Sequence, residues 1–190
     1  MVSPDVTVTT EVLWRGTIIF LLADAGFACL LVRRTPPSVF RKCRWILIST
    51  TVVFWGLLWT LMMRFFWESV YGYVFPVWSR WIVPPVYACC FGLVALFFSW
   101  LAFRLPGRPV LNYLLLGGLW GSVTHVWAIG RGILDKPPML QGASPVAAVV
   151  LPFFEFIFYW CIITAVSAFL CNRFTPDVHV PPEDSHPNNL

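Results

Sequence analysis

Charged side chains are scarce in this chain, and their scarcity excludes an ordinary soluble domain. Only 12% of the 190 residues are Asp, Glu, Lys or Arg, about half the share that is usual in soluble domains. The chain is 58% hydrophobic with a mean hydropathy of +0.75, and its apolar residues fall in blocks separated by short basic or Pro-rich breaks. The sequence therefore predicts an all-α fold, a polytopic membrane bundle.

Several patterns that mark other protein classes are also missing. There is no zinc-type spacing of Cys and His, and no aromatic–basic pattern typical of a nucleic-acid surface, so we read the net charge of +4 as a sign of membrane orientation. The opening "MVSPDVTVTT" lacks the basic segment of a cleavable signal peptide. The six Cys lie mostly inside apolar blocks, where Cys behaves as a small hydrophobe, and we expect no disulfide framework.

The apolar blocks predict about five transmembrane helices from their length and their flanks. They cover about residues 12–32, 45–65, 82–103, 110–129 and 145–170. We expect a single domain over residues 1–174 and a polar, Pro-rich, disordered tail over residues 175–190. No internal repeat is present, which argues against a transporter. A single His within a span argues against a bis-His haem site.

Basic residues concentrate in the first and third connections between these blocks. They are Arg33, Arg34, Arg41, Lys42, Arg44, Arg104 and Arg108. With five spans both connections lie on one side, and the positive-inside rule makes that side cytoplasmic. The N-terminus is then non-cytoplasmic and the C-terminus cytoplasmic.

Ionisable residues inside spans are costly to keep, and they mark candidate sites. Asp24 lies near the middle of the first span, in "FLLADAGFACLLV", where no residue three or four positions away can pair with it. Glu155 lies in "LPFFEFIFYWC", three residues after Pro152, which could kink the helix. Tyr159 follows Glu155 by one turn and is a candidate hydrogen-bond partner.

Two further ionisable residues belong to this group. His125 shares one helix face with Gly117 and Gly121, a small-residue stripe of the kind at which membrane helices pack closely, so we expect His125 to face the bundle. An interhelical hydrogen bond of purely structural value remains an alternative. Glu68 lies at the membrane interface, four residues after Arg64, and an ion pair between them is the simpler interpretation.

The predicted topology places Asp24, Glu155, His125 and Glu68 in the non-cytoplasmic half of the bilayer. A common cavity that opens to that half would explain why all four ionisable residues lie there. Mutual pairing of Asp24 and Glu155, or a structural hydrogen bond from Tyr159, remains open as an alternative.

The chemistry that suits this combination is acid catalysis on a lipid-soluble substrate. A carboxylic acid that keeps its proton in a water-poor cavity can protonate an alkene or an epoxide. Ring faces stabilise the resulting carbocation, and dryness keeps water from quenching it. We expect these aromatic residues to line the pocket: Trp55, Trp59, Trp67, Tyr71, Trp120 and Tyr159. Five others are instead typical of interfacial belts: Trp14, Trp45, Trp78, Trp81 and Trp127. Trp160, like Trp55, Trp59 and Trp120, lies deeper in its span.

The stretch "WESVYGYVFP", residues 67–76, resembles the W-E-x-V-Y-x-x-x-[aromatic]-P motif of the fungal integral membrane terpene cyclases of the pyripyropene and paxilline type. The resemblance implies that Glu68 is one of two essential acids. The stretch "FLLADAGFACLLVRR" is similar to the family's second acid-bearing helix, which points to Asp24. In the family that helix is the last of seven, whereas here it is the first of five, and Glu155 remains an alternative second acid.

The sequence and the resemblance together predict a cofactor-independent terpenoid cyclase or isomerase that acts on a prenylated substrate in the endoplasmic reticulum membrane. Glu68 and Asp24 are the predicted acid pair, and Glu155 and His125 support them or relay a proton. The expected partners are the lipid-soluble substrate and membrane lipids, with no metal, cofactor or nucleic acid. The alternative is a non-enzymatic accessory or scaffold subunit, whose acids contact partner chains. A sterol isomerase is less consistent, because His125 has no carboxylate four residues away.

Overall fold

The computed structural model describes residues 10–65, 76–131 and 145–174, and these residues form an all-helical bundle. The helices are α1 (Thr10–Arg34), α2 (Ser38–Arg41), α3 (Arg44–Phe65), α4 (Ser79–Ala102), α5 (Pro109–Gly130) and α6 (Pro145–Phe174). The all-α prediction is confirmed for this part of the chain, and each predicted span coincides with one long helix. Three helical segments, α3, α4 and Val149–Phe174 of α6, are long and apolar enough to cross a membrane. The count of five spans is not confirmed.

Helix α6 lies at the centre of the bundle and packs against α1, α3 and α5. Its Trp160 is fully buried, with the ring centroid 5.2 Å from that of Tyr113 on α5 and 5.9 Å from that of Phe98 on α4. A large ring that touches two neighbouring helices fixes their spacing, because a packed interior tolerates few voids.

Helices α3 and α4 form a second tightly packed pair. The Trp55 ring of α3 stacks on Phe91 of α4 with centroids 3.9 Å apart, and it also lies 5.2 Å from Phe156 of α6. Trp55 therefore joins three helices in one aromatic contact.

Glycines allow α5 to approach α6 closely. A Cβ atom at Gly118 would lie 2.7 Å from Ile157 Cγ1 and 2.9 Å from the backbone oxygen of Phe153, and one at Gly117 or Gly121 would clash with a ring of α6. The prediction that this glycine stripe is a helix-packing face is confirmed.

Helix α6 continues through Pro152. Proline has no N–H to donate to the preceding turn, so the backbone there loses one helical hydrogen bond. Near this position the Ser122 hydroxyl of α5 donates a 2.8 Å hydrogen bond to the Val149 carbonyl oxygen. An interhelical bond from a side chain is one way in which membrane helices satisfy backbone groups near a proline.

Most basic residues gather at one end of the bundle, which we call the basic end. Phe40 of α2 is buried there, 4.9 Å from Tyr113 of α5 and 6.5 Å from Phe103, just after α4. The basic end carries eight of the thirteen Lys and Arg residues: Arg33, Arg34, Arg41, Lys42, Arg44, Arg104, Arg108 and Arg173.

A disulfide joins Cys43 to Cys171 at the basic end. The expectation that the chain has no disulfide is therefore wrong for this pair. Cys43 lies between α2 and α3, outside the apolar helices, and Cys171 lies in the last turn of α6. Their Cα atoms are 6.0 Å apart although 128 residues separate them in sequence, so only the tertiary fold shows that the two can pair.

A tight turn connects α4 to α5. Gly107 adopts a positive φ of 100°, a conformation that glycine adopts without steric cost. The Asn112 side-chain amide donates to the carbonyl oxygens of Ala102, Leu105 and Pro106 at 3.1–3.2 Å. The turn therefore has its own hydrogen-bond donor for carbonyl groups that the end of α4 leaves free.

Candidate functional site

Asp24 is the most deeply buried acid of the described residues. Its side chain is only 4% exposed, and neither carboxylate oxygen has a hydrogen-bond partner within the described part of the chain. Phe20 and Phe27 share its face of α1, and both rings pack edge-on against Phe158 of α6, at 5.8 and 6.4 Å between centroids. Asp24 is thus held between α1 and α6 on an aromatic face.

Glu155, on the central helix α6, has a different environment from Asp24. Its Oε1 accepts a 2.5 Å hydrogen bond from the Tyr159 hydroxyl, so the predicted pairing of these two residues is confirmed. The Tyr159 ring lies 5.8 Å from Phe54 and 5.6 Å from Trp55, both on α3. The pair therefore faces α3, whereas Asp24 approaches α6 from the side of α1.

The structure does not bring Asp24 and Glu155 into a pair. Both oxygens of Asp24 lack a hydrogen-bond partner among the described residues, and Oε1 of Glu155 accepts its hydrogen bond from Tyr159. The alternative in which the two carboxyl groups share a proton or a hydrogen bond has no support in this geometry.

His125 packs within the bundle against α6. Its ring is partly buried and meets Phe156 edge-on at 5.4 Å. Its Nδ1 lies 3.0 Å from the Gly121 carbonyl oxygen. A carbonyl oxygen only accepts hydrogen bonds, so Nδ1 donates, and in the neutral ring Nε2 carries the free lone pair. His125 contacts the residue next to Glu155, but not the Asp24 side of α6.

The aromatic residues expected to line a pocket fall into two groups. Trp55 and Tyr159 are in contact, and Trp59 follows Trp55 by one turn and packs on Tyr87 at 4.3 Å. Trp120 lies apart from them, 6.1 Å from Phe98.

Where their side chains are described, the Trp residues expected to lie deep are less exposed than those expected in interfacial belts. Trp55 and Trp160 are buried, and Trp59 and Trp120 are partly buried. The interfacial set is 57–80% exposed: Trp45, Trp78, Trp81 and Trp127.

Several predicted site residues lie outside the described residues. These are Glu68, Trp67 and Tyr71, and with them the proposed Arg64–Glu68 ion pair and the polar tail. Arg64 itself is exposed at the end of α3.

The larger cavities of the described part of the chain lie away from the acids. One, of about 680 Å³, is at the basic end, and the other, of about 430 Å³, lies between α5 and α6 beside Ser122. Neither is lined by Asp24, Glu155 or His125. In the same part of the chain, no group of three His, Cys, Asp or Glu residues is placed to hold a metal ion.

Three rings complete the aromatic surroundings of the acids, through contacts that were not predicted from the sequence. Phe158 covers the Asp24 face, and Phe54 and Phe156 flank Tyr159. Their positions on α3 and α6 follow from how the helices pack, and in a chain with 17 Phe no spacing distinguishes these three from the others.

Comparison with known proteins adds no relative. No protein-family model matches the chain, and no curated protein or solved structure matches it. The functional argument therefore rests on the residues and their geometry.

Proposed function

We propose that the chain is a membrane-embedded, cofactor-independent terpenoid cyclase or isomerase that starts its reaction by protonating a prenylated, lipid-soluble substrate. The observation that carries this proposal is Asp24, a buried acid without a hydrogen-bond partner among the described residues, on a face formed with Phe20 and Phe27. A carboxylic acid in such surroundings is a proton donor. Aromatic faces nearby stabilise the cation that the proton creates.

The Glu155–Tyr159 pair is the proposed second acid group. The tyrosine hydroxyl orients one oxygen of Glu155, which leaves the other to exchange a proton. Trp55, 5.6 Å from the Tyr159 ring, supplies the electron-rich surface for a cationic intermediate. Glu68 keeps the role that the motif resemblance implies, as the acid at the rim of the site.

The membrane arrangement that goes with this function has five spans, α1 and α3–α6. The clustering of eight basic residues at one end supports a cytoplasmic basic end and a non-cytoplasmic N-terminus. The membrane we propose is that of the endoplasmic reticulum. The burial of Asp24 within its own chain favours a catalytic interior over the alternative scaffold subunit, whose acids would face a partner.

The test is product formation by the purified full chain in lipid nanodiscs, with a farnesylated phenol that keeps its terminal alkene as substrate and deuterated water as solvent. We expect a cyclised product with one carbon-bound deuterium, because protonation of the terminal alkene adds a deuteron to carbon, while ring closure ends with loss of a proton from the phenol or from a neighbouring carbon. Asp24→Asn keeps the shape of the side chain but removes the acid, and it should lower turnover by about 100-fold or more. Asp24→Glu, which restores an acid, should recover part of the activity.

Three results would count against the proposal. They are full turnover by the double variant Asp24→Asn, Glu155→Gln, the absence of carbon-bound deuterium in the product of the alkene substrate, and no turnover of any prenylated epoxide or alkene by the intact protein.

A further inference from the structure

The 680 Å³ cavity at the basic end has a charged end and an apolar end. We name it the arginine groove. Its lining residues are Phe40, Arg41, Arg44, Leu93, Leu96, Phe97, Ser99, Trp100, Phe103 and Arg104. None of the proposed catalytic acids lines it, so a separate role must account for it.

Three guanidinium groups form the charged part of the groove. Arg41, Arg44 and Arg104 are all exposed. The described acids with placed side chains, Asp24 and Glu155, lie within α1 and α6, away from this end. The positive charge at the groove is therefore not neutralised by the described part of the chain.

Ring contacts hold two of these cations in position. The Arg104 Cζ lies 3.9 Å from the Trp100 ring centroid, and the Arg41 Cζ lies 4.3 Å from that of Phe103. A guanidinium that stacks on a ring uses its flat face and keeps its N–H groups, which lie in the plane, for an anion. Such planar forks match the oxygens of a phosphate.

The apolar part of the groove follows one face of α4. Leu93, Phe97, Trp100 and Arg104 recur at helical spacing, and the first three side chains are 69%, 54% and 49% exposed. From Leu93 to the end of α4 at Ala102 the helix rises about 14 Å, which is close to half of a hydrocarbon core about 30 Å thick, and Arg104 follows in the turn after the helix. The apolar side chains from Leu93 to Trp100 thus extend across about one leaflet, and the Arg104 guanidinium lies at the level of the headgroups.

We propose that the arginine groove is a binding site for an anionic glycerophospholipid. The phosphate contacts Arg41, Arg44 and Arg104, and one acyl chain lies along Leu93, Leu96 and Phe97. A lipid is favoured over a free phosphate because the apolar stripe continues from the cations to the depth of an acyl chain. Basic pockets between membrane helices are known to recognise lipid headgroups in this way.

The first experiment is native mass spectrometry of the full chain in detergent, titrated with dioleoyl phosphatidylserine or dioleoyl phosphatidylcholine. We expect the wild type to prefer the anionic lipid by about 10-fold or more. The triple variant Arg41→Gln, Arg44→Gln, Arg104→Gln should lose that preference. The matched control removes the same charge from the same end outside the groove, with Arg33→Gln, Arg34→Gln and Arg108→Gln, and should retain it.

A second variant tests the acyl-chain contact without changing charge. Leu93→Ala with Phe97→Ala should weaken binding of dioleoyl phosphatidylserine several-fold and leave binding of dihexanoyl phosphatidylserine unchanged. Both positions are exposed, so these changes leave the core intact even if the arginine triple variant unfolds.

Clear outcomes would overturn the proposal. Equal loss in the two triple variants would mean a diffuse electrostatic attraction of the whole basic end. Displacement of the lipid by an equal concentration of inorganic phosphate would mean a free-anion site. Unchanged binding of dioleoyl phosphatidylserine by the Leu93, Phe97 double variant would remove the acyl chain from the site.

Discussion

Asp24 raises the question of why a bundle keeps a carboxyl group where it forms no hydrogen bond with any described residue. In the five-span arrangement proposed above, an acid near the centre of α1 costs about 2.5–3.5 kcal/mol on insertion scales. A structural acid recovers that cost through hydrogen bonds, and both oxygens of Asp24 lack them in the described residues. Replacing Asp24 by an apolar residue should therefore raise the stability of the protein and lower its activity.

We predict that Asp24→Val, a change that nearly conserves volume, stabilises the protein by about 2–3 kcal/mol and abolishes turnover. The measurement is thermal unfolding in detergent beside the product assay. Thr51→Val, which removes a hydroxyl bonded to the Leu47 carbonyl at 2.7 Å, is the control at another buried polar position and should not stabilise. A lower melting temperature for Asp24→Val would show that Asp24 is a structural residue.

The Glu155–Tyr159 bond allows the chemical and structural roles of Glu155 to be separated. Glu155→Gln keeps an oxygen that accepts from the tyrosine, so we predict unchanged stability but lost activity. Tyr159→Phe removes the donor and should cost about 0.5–1.5 kcal/mol. Unfolding and turnover are measured together, with Tyr87→Phe as a control for loss of a tyrosine hydroxyl. Full activity in Glu155→Gln would assign Glu155 to packing alone.

At the scale of the helices, the glycine contact between α5 and α6 offers the most direct mechanical test. Gly118→Ala places a methyl group 2.9 Å from a backbone oxygen of α6, which a side-chain rotation cannot relieve. We predict a loss of about 1–3 kcal/mol, the usual cost of overpacking. Gly130→Ala in the same helix has open space around its Cβ and should be neutral. Equal melting temperatures for the two variants would mean that the helices are less tightly packed than described.

The helix bounds were the part most readily predicted from sequence. Apolar blocks ended by Arg33, Arg64 or Arg104 match α1, α3 and α4 closely, because membrane helices are bounded by charged flanks. The pairing of Glu155 with Tyr159 was predictable too, since it is local to one helix.

Contacts between distant segments were not predictable. The short α2 lies within a basic, Pro-rich connection without a long apolar pattern, and its Phe40 becomes buried only when the ends of α4 and α5 meet it. The Cys43–Cys171 pair depends on the same meeting of helix ends. The choice of Phe158 as the ring that covers Asp24 depends on the rotation of α6, which has no dominant hydrophobic face to reveal it.

For the molecule as a whole, the basic end carries two indications of opposite meaning. Its arginines favour the cytosol, whereas disulfides persist mainly in oxidising compartments. With the cytoplasmic orientation proposed above, glutathione would keep Cys43 and Cys171 reduced in the cell. Their 6.0 Å Cα separation would let them join after oxidation.

We therefore predict that Cys43 and Cys171 react with a maleimide–polyethylene glycol reagent when cells are quenched in acid and the protein is denatured before labelling, since both side chains are buried in the fold, and that they are protected after diamide treatment. The measurement uses a variant in which Cys29, Cys89, Cys90 and Cys161 are replaced by Ala. The comparison is the same variant with Cys43→Ser and Cys171→Ser added. A pair already protected before diamide would place the basic end in an oxidising compartment and invert the proposed topology.

When the disulfide is formed, residues 43–171 become a covalently closed ring that runs from α3 to the last turn of α6. The segment that contains α1 and α2 lies outside this ring and is joined to it by a single peptide bond. A protease site inserted at Gly107 would then cut the chain without releasing a fragment until a reductant is added. The two acids are divided by this closure, because Glu155 belongs to the ring and Asp24 lies outside it. In the disulfide-bonded protein, opening the Asp24 face would require only that α1 give up its contacts with α6, such as those of Phe20 and Phe27 with Phe158, while the covalent ring that holds Glu155 stays closed.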